Sequence, residues 1–323
     1  MTDLFPSYAF GVEAVRVPVP NPREYITVLE PERDETDWWA GAPSVCMDDE
    51  GTVWLAARLR EAFSPRGHRG YAIWIGRSKD GFSFEHVKTI RREEVDTVSF
   101  ERPAFLRDPL TGKFKLYYCR AGTPEPYGWY IGKFDDVDDP SQFDPSTAHP
   151  VLRFEARDWG VKDPFIINIG GLYHMFVIGY GINAHRRELP YLALSVDGER
   201  WEFRTTPLLP SHGWHNFFTR PACLLPMPGV WVFYYEGSNA EWFDPPYNIA
   251  GGIAVSTDGG RTFVDITPEA PVLETATPGR YRTARYMDYL ALEDRILFYY
   301  EAFRENDSAE VRVSVVKRRV KGR

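Results

Sequence analysis

Cysteine is scarce: the 323 residues hold only three, Cys46, Cys119 and Cys223. Their wide spacing excludes a disulfide framework and a CxxC zinc pair. They read as buried or half-buried thiols. Positive charge is also short, since 38 Lys and Arg against 46 Asp and Glu leave a net charge of -8. A broad nucleic-acid-binding surface needs clustered cations, so no nucleic-acid partner is expected. No apolar run approaches the ~20 residues that span a bilayer. The opening MTDLFPSYAF has no basic segment followed by an apolar one, so it does not read as a signal peptide. The expectation is a cytoplasmic protein with no membrane partner. Long stretches with an apolar period of 3.6 residues are missing too, which argues against a helical protein.

What the chain has in quantity is aromatic side chains, with 10 Trp, 18 Tyr and 21 Phe. It also has a repeat. Five segments share one plan, an apolar run, a turn and a second apolar-aromatic run: APSVCMDDEGTVWLAAR, RPAFLRDPLTGKFKLYYCR, DPFIINIGGLYHMFVIG, RPACLLPMPGVWVFYYE and RYMDYLALEDRILFYYE. Their anchors, Pro43, Pro103, Pro164, Pro221 and Tyr286, recur about every 60 residues. Turns such as Asp49-Glu50-Gly51 and Gly170-Gly171 between β-rich runs signal hairpins. Third strands follow at YAIWIGRS, WYIGKF, YLALSV, IAGGIAVS and VRVSVV, and fourth strands at FEHVKTI, WEFRTT and TFVDIT. Four strands per unit, repeated five times, predict an all-β chain: one five-bladed β-propeller of four-stranded antiparallel blades over 1–323. The last unit ends soon after its third strand. One of the N-terminal segments VEAVRVPV and EYITVLE is therefore expected to supply its outer strand and close the ring.

Ser256-Thr257-Asp258-Gly259-Gly260-Arg261-Thr262-Phe263 matches the Asp-box pattern S-x-D-x-G-x-T-W/F, with weaker copies in SKDGFSF and SVDGERW. Each lies between a third and a fourth strand, where Asp staples the turn and Gly supplies a positive φ. These aspartates read as turn formers, not as chemistry.

Strand alternation places the residues just before the anchors around the axis on one face. They are Ala42, Arg102, Asp163, Arg220 and Arg285. The loops after the second strands overhang the same face, and the Asp boxes fall on the other. Clustered guanidiniums need anions, and Asp37, Glu101, Glu236, Asp288 and Glu301 stand close by. The overhanging loops carry Trp38, Trp39, Tyr127, Trp129, Tyr180, Asn183, His185, Trp214, His215, Asn216, Asn239, Glu241 and Trp242. Flat aromatics beside amides and carboxylates suit sugar rings. His215 and His185 are candidate acid-base groups or ligands. With no HExxH and no paired spacing read, no metal and no cofactor are expected.

VKDPFIINIGGLYHMFV resembles the blade motif of the five-bladed propeller glycosidases, glycoside hydrolase families 43, 32, 117 and 130. The resemblance covers about residues 37–317. It implies catalytic carboxylates at the starts of inner strands. Asp163 matches that pattern, whereas Ala42 and Arg220 stand where family 43 has an Asp and a Glu. RPAFLRDPLTGKFKLYY and the Asp boxes also resemble sialidases, whose fold has six blades and whose arginine triad binds a sugar carboxylate.

The sequence thus reads as a carbohydrate-active enzyme, a glycoside hydrolase using paired carboxylates on an anionic sugar. The pair is Asp163 with one of Glu101, Glu236 and Glu301. Arg102, Arg220, Arg285, Trp39, His215, Tyr180, Asp37 and Asp288 are the substrate-binding candidates. A noncatalytic glycan-binding propeller and a glycoside phosphorylase are the alternatives. The sequence leaves the oligomeric state open.

Overall fold

The computed structural model describes residues 7–10, 13–62, 69–122, 128–156, 159–182, 187–239, 241, 248–279 and 281–318. The candidates Tyr127, Asn183, His185 and Trp242 lie outside them.

The chain is all-β. Short strands β1 (Ser7–Phe10) and β2 (Glu13–Arg16) pair with each other, and β3 (Ile26–Leu29) follows. Then come four sets of four antiparallel strands. The first is β4 (Trp39–Met47), β5 (Val53–Arg60), β6 (Gly70–Ser78) and β7 (Glu85–Arg91). The second is β8 (Ser99–Arg107), β9 (Phe114–Ala121), β10 (Tyr130–Lys133) and β11 (His149–Leu152). The third is β12 (Gly160–Ile169), β13 (Leu172–Tyr180), β14 (Leu189–Ser195) and β15 (Glu202–Arg204). The fourth is β16 (Phe218–Met227), β17 (Val230–Ser238), β18 (Ala250–Ser256) and β19 (Val264–Asp265). A last set holds β20 (Ala284–Ala291), β21 (Arg295–Phe303) and β22 (Ala309–Lys317), with β3 antiparallel to β22. A single parallel bridge, Ala309 to Trp39, joins the last set to the first. Among the described residues no helix is long and apolar enough to cross a membrane.

The burial gradient across each set explains the residue choice. Inner strands such as β4 and β8 are buried along most of their length, so they read as nearly continuous apolar runs. Outer strands β7 and β15 are exposed or half-buried at every position but Ile90 and carry Glu, Lys and Arg, which blunts a sheet edge. The apolar faces meet between sets. Trp54, Ile75, Phe105 and Leu116 fill the space between the first and second, and Tyr117, Ile131, Met175 and Tyr191 between the second and third. Phe176 meets Phe233 between the third and fourth, and Tyr234 meets Phe298 between the fourth and last. Val45, Leu55, Leu297 and Val313 pack between the last and the first.

The Tyr-Tyr pairs at second strands serve this stacking. Tyr117 Oη donates to the Gly198 carbonyl and Tyr299 Oη to that of Gly81, each at 2.8 Å. Both acceptors lie in the Asp-containing turn of the neighbouring set. In those turns Asp80, Asp197 and Asp258 accept backbone N–H groups within one turn. A structural burden explains these aspartates fully.

Candidate functional site

Every inner strand breaks register near its start. The slips fall between Gly41 and Ser44, Phe100 and Pro103, Lys162 and Phe165, Pro221 and Cys223, and Arg285 and Asp288. Such bulges free backbone amides from the ladder and re-aim side chains. Three of the bulged residues are non-glycine with a left-handed φ: Ala42 at 49°, Asp163 at 55° and Tyr286 at 55°. Each such residue costs about 1–3 kcal/mol, which the surroundings must offset.

Carboxylates from neighbouring sets take backbone amides freed at three of the bulges. Glu301 Oε2 accepts the Ala42 N–H at 3.1 Å, and Asp163 Oδ1 accepts the Arg102 N–H at 3.2 Å. Glu236 Oε1 accepts the Tyr286 N–H. Three of the four carboxylates expected to do chemistry therefore also staple a bulge. The bulges revise the expected alignment of the units. Ala42 and Asp163 are level with Glu101 and Tyr286, so Arg102 sits one residue later and Arg285 one earlier.

Around the bulges lies a buried ion network. Arg58, 1% exposed, donates to Glu101 Oε2 at 2.5 Å and to Glu301 Oε2 at 2.9 Å. Arg285 Nε reaches Glu301 Oε1 at 2.7 Å. Glu188 takes Arg220 at 2.5 Å and pairs with Lys162. The Arg102 guanidinium spans the centre and donates to the carbonyls of Pro221, at 3.4 Å, and Met287, at 3.0 Å. The three arginines expected to hold an anionic ligand are thus buried and engaged with the protein's own acceptors. Arg60, Arg69 and Lys162, by contrast, are half-buried. Arg60 and Arg69 lie over the Trp39 ring at 4.5 and 4.1 Å. The buried Arg60 Nε has no hydrogen-bond partner among the described residues.

This setting divides the acids into two kinds. Burial alone would raise Glu101, but Arg58 and Arg60 hold it down at about 2. Burial is likewise overcome at Glu188, held at about 2 by Arg220 and Lys162, and at Glu301, held low by Arg285 and Arg58. Glu236 has no cation at ion-pair distance among the described residues, and burial pushes it up to about 7. It meets Asp163 through one residue: the Tyr286 N–H goes to Glu236, and Tyr286 Oη donates to Asp163 Oδ2 at 3.3 Å.

The other candidates scatter. Trp39 is 6% exposed, edge-on to Phe303 and covered by arginines. Tyr180 is half-buried with the Lys162 ammonium 5.5 Å from its ring centre. Asp37 sits 3.7 Å from Arg69. Asp288 is pushed up by burial and accepts from Ser44 Oγ and from the Val45 and Tyr289 amides. It lines a cavity of about 340 Å³ with Phe105 and Phe165. His215 is fully buried between Thr219 and Asp265.

Sequence reading missed Arg58, Arg60, Lys162, Glu188, His212 and Asp265. A signal existed for Arg58. It pairs with Gly41 where Glu236 pairs with Arg220 and Glu301 with Arg285, so it occupies their position in its own unit. His212 and His215 form an H-x-x-H spacing, contrary to the expectation that no paired spacing exists.

No family model and no curated protein matches the chain. Solved structures do. One described as a glycoside hydrolase superposes with a TM-score of 0.69 at 16% identity, over 94% of this chain and 95% of that one. The beta-1,2-mannobiose phosphorylase of Listeria innocua gives 0.64 at 15%, over 92% and 95%. A third structure gives 0.64 at 15%, over 92% and 96%. It is described as belonging to the GH130 family of mannoside phosphorylases, which contains glycoside hydrolases that target beta-1,2 mannosidic linkages in Candida mannan. At these identities the likeness is one of fold, and it agrees with the resemblance read from the blade motif.

Proposed function

We propose that the five sets are the blades of a five-bladed β-propeller, with β3 as the outer strand of the last. On this reading the chain is a carbohydrate-active enzyme of the glycoside hydrolase type. The fold shared with hydrolases and a phosphorylase supports this reading, but a fold alone hosts many activities. The observation that carries it is the Tyr286 bridge between two differently poised acids, Glu236 and Asp163.

Glu236, raised to about 7, is the general acid that protonates the leaving oxygen. Asp163 is the second carboxylate, which activates water or attacks the sugar carbon. Glu101 and Glu301 keep their charge for the guanidiniums. An anionic substituent on the sugar goes to Arg60 and Arg69 beside Trp39, because Arg102, Arg220 and Arg285 are engaged.

The staples favour a second reading, a noncatalytic glycan-binding propeller, because a carboxylate that holds a backbone amide already has a role. Incubation with aryl glycosides and uronate-bearing oligosaccharides separates the two. Catalysis predicts released sugar, reduced about 10²–10⁴-fold in Asp163→Asn. Binding without release supports the second reading. Release that depends on added phosphate identifies a phosphorylase.

A further inference from the structure

The loop before β16 reads Ser211-His212-Gly213-Trp214-His215. The His215 N–H donates to the His212 carbonyl at 3.0 Å, closing a tight turn of the 3₁₀ type. Side chains three apart eclipse in that geometry, so both imidazoles come to one side, with ring centres 4.5 Å apart. Gly213 makes the turn possible. Its φ is 51°, and a Cβ there would stand 2.6 Å from the Pro268 carbonyl oxygen. Trp214, between the histidines, anchors the loop by donating Nε1–H to the Thr267 carbonyl at 2.8 Å and stacking on Tyr235.

Both histidines aim the same atom at the same target. His212 Nε2 lies 3.3 Å and His215 Nε2 3.2 Å from Asp265 Oδ2. The other carboxylate oxygen is occupied: Oδ1 accepts the Tyr235 hydroxyl at 3.0 Å and the Thr267 N–H at 2.9 Å. The outer nitrogen of His215, Nδ1, lies 2.8 Å from Thr219 Oγ1. The groups behind Asp265 Oδ2 and His215 Nε2 are therefore tied down. Such outer partners fix ring orientation around a metal. Tetrahedral zinc holds nitrogen and oxygen at about 2.0–2.2 Å, which spaces neighbouring donors by about 3.3–3.5 Å. The separations of 3.3 and 3.2 Å lie close to that edge, and all three donor atoms fall within 4.8 Å of one another. Two imidazoles and one carboxylate form a donor set suited to zinc.

We propose that His212, His215 and Asp265 form a zinc site, with His212 Nε2, His215 Nε2 and Asp265 Oδ2 as ligands. The fourth position opens toward solvent past His212, whose side chain is 40% exposed while His215 is fully covered. The site clips the loop before β16 to the end of β19. It touches the central network indirectly, since Thr219 behind His215 precedes Arg220 in the chain. This inference does not depend on the proposed activity.

The test uses tag-free full-length protein stripped with EDTA. Zinc chloride is titrated by calorimetry, and cobalt chloride is followed by its visible absorption. The site predicts one zinc per chain at micromolar metal, a tetrahedral cobalt spectrum and a raised Tm. His212→Ala, at a half-exposed position, should keep the metal-free Tm and weaken zinc by at least about tenfold. Asp265→Asn should abolish the tetrahedral cobalt bands. Absence of stoichiometric uptake, or zinc binding as tight in His212→Ala as in the natural chain, overturns the site.

Discussion

The two ends of the strand sets carry the same residue types under different physics. At the end with the Asp-containing turns, the charges of the first set face water, although Lys115, Lys133 and Asp108 of the second are buried. Arg77 and Glu85 pair at 3.1 Å with side chains 51% and 71% exposed. They line a cavity of about 930 Å³ with Asp48, Asp80 and Asp139. At the bulged end, Arg58 and Glu301 pair at 2.9 Å with side chains 1% and 0% exposed. Exposed pairs are screened and contribute little, whereas buried partners depend on each other. At the bulged end burial poises one acid near neutrality while guanidiniums hold others charged. A chemical site follows from the contrast in burial more than from the inventory of charges.

The largest expected effect comes from removing one cation at each end. Arg58→Met leaves Glu101 and Glu301 buried without their shared partner and should cost about 3–5 kcal/mol in urea unfolding. Arg77→Ala should cost under about 1 kcal/mol. Equal losses would erase the distinction.

Acid-base behaviour sharpens it within the buried end. Glu101 lies at about 2, below its ordinary 4.5, so its contribution is present above pH 4.5 and lost as pH falls toward 2. Glu236 has the opposite sign. Its value of about 7 exceeds 4.5, so folding is favoured below pH 4.5 and penalised as pH rises to 7. Glu101→Gln should flatten the stability curve between pH 2 and 4.5, and Glu236→Gln between 4.5 and 7. Urea midpoints across this range check both, and a shared window for the two variants would contradict the division of acids.

The smallest effect concerns backbone strain. Ala42→Gly relieves a φ of 49° and should stabilise by about 1 kcal/mol. Gly81→Ala should destabilise, because at φ 81° its Cβ would stand 2.8 Å from Leu297 Cδ1 and the Tyr299 hydroxyl. Thermal midpoints of the two variants should move in opposite directions.

Much of the fold was legible because it repeats. Hairpin turns and apolar runs recur about every 60 residues, with Tyr-Tyr pairs in three of the five units, and each has a local cause. Register was harder. Proline marked the units, but Pro43 and Pro164 lie inside their bulges while Pro103 and Pro221 bound theirs. Each placement suits a residue with no ladder hydrogen to give, so the marker drifts by one and misaligned Arg102. Ion partners were not legible. Arg58 meets Glu301 across 243 positions of chain, and no local pattern encodes that. His212 was visible in H-x-x-H, but its partner Asp265 lies beyond the next three strands.

The pH dependence of turnover by the natural chain and Glu236→Gln, on whichever glycoside it cleaves, tests the central claim most directly. A general acid at about 7 in the free protein makes kcat/KM fall as pH rises through neutrality, and Glu236→Gln should lower kcat/KM by about 10²–10⁴ and remove that limb. An unchanged profile in Glu236→Gln, with full turnover, would contradict the assignment.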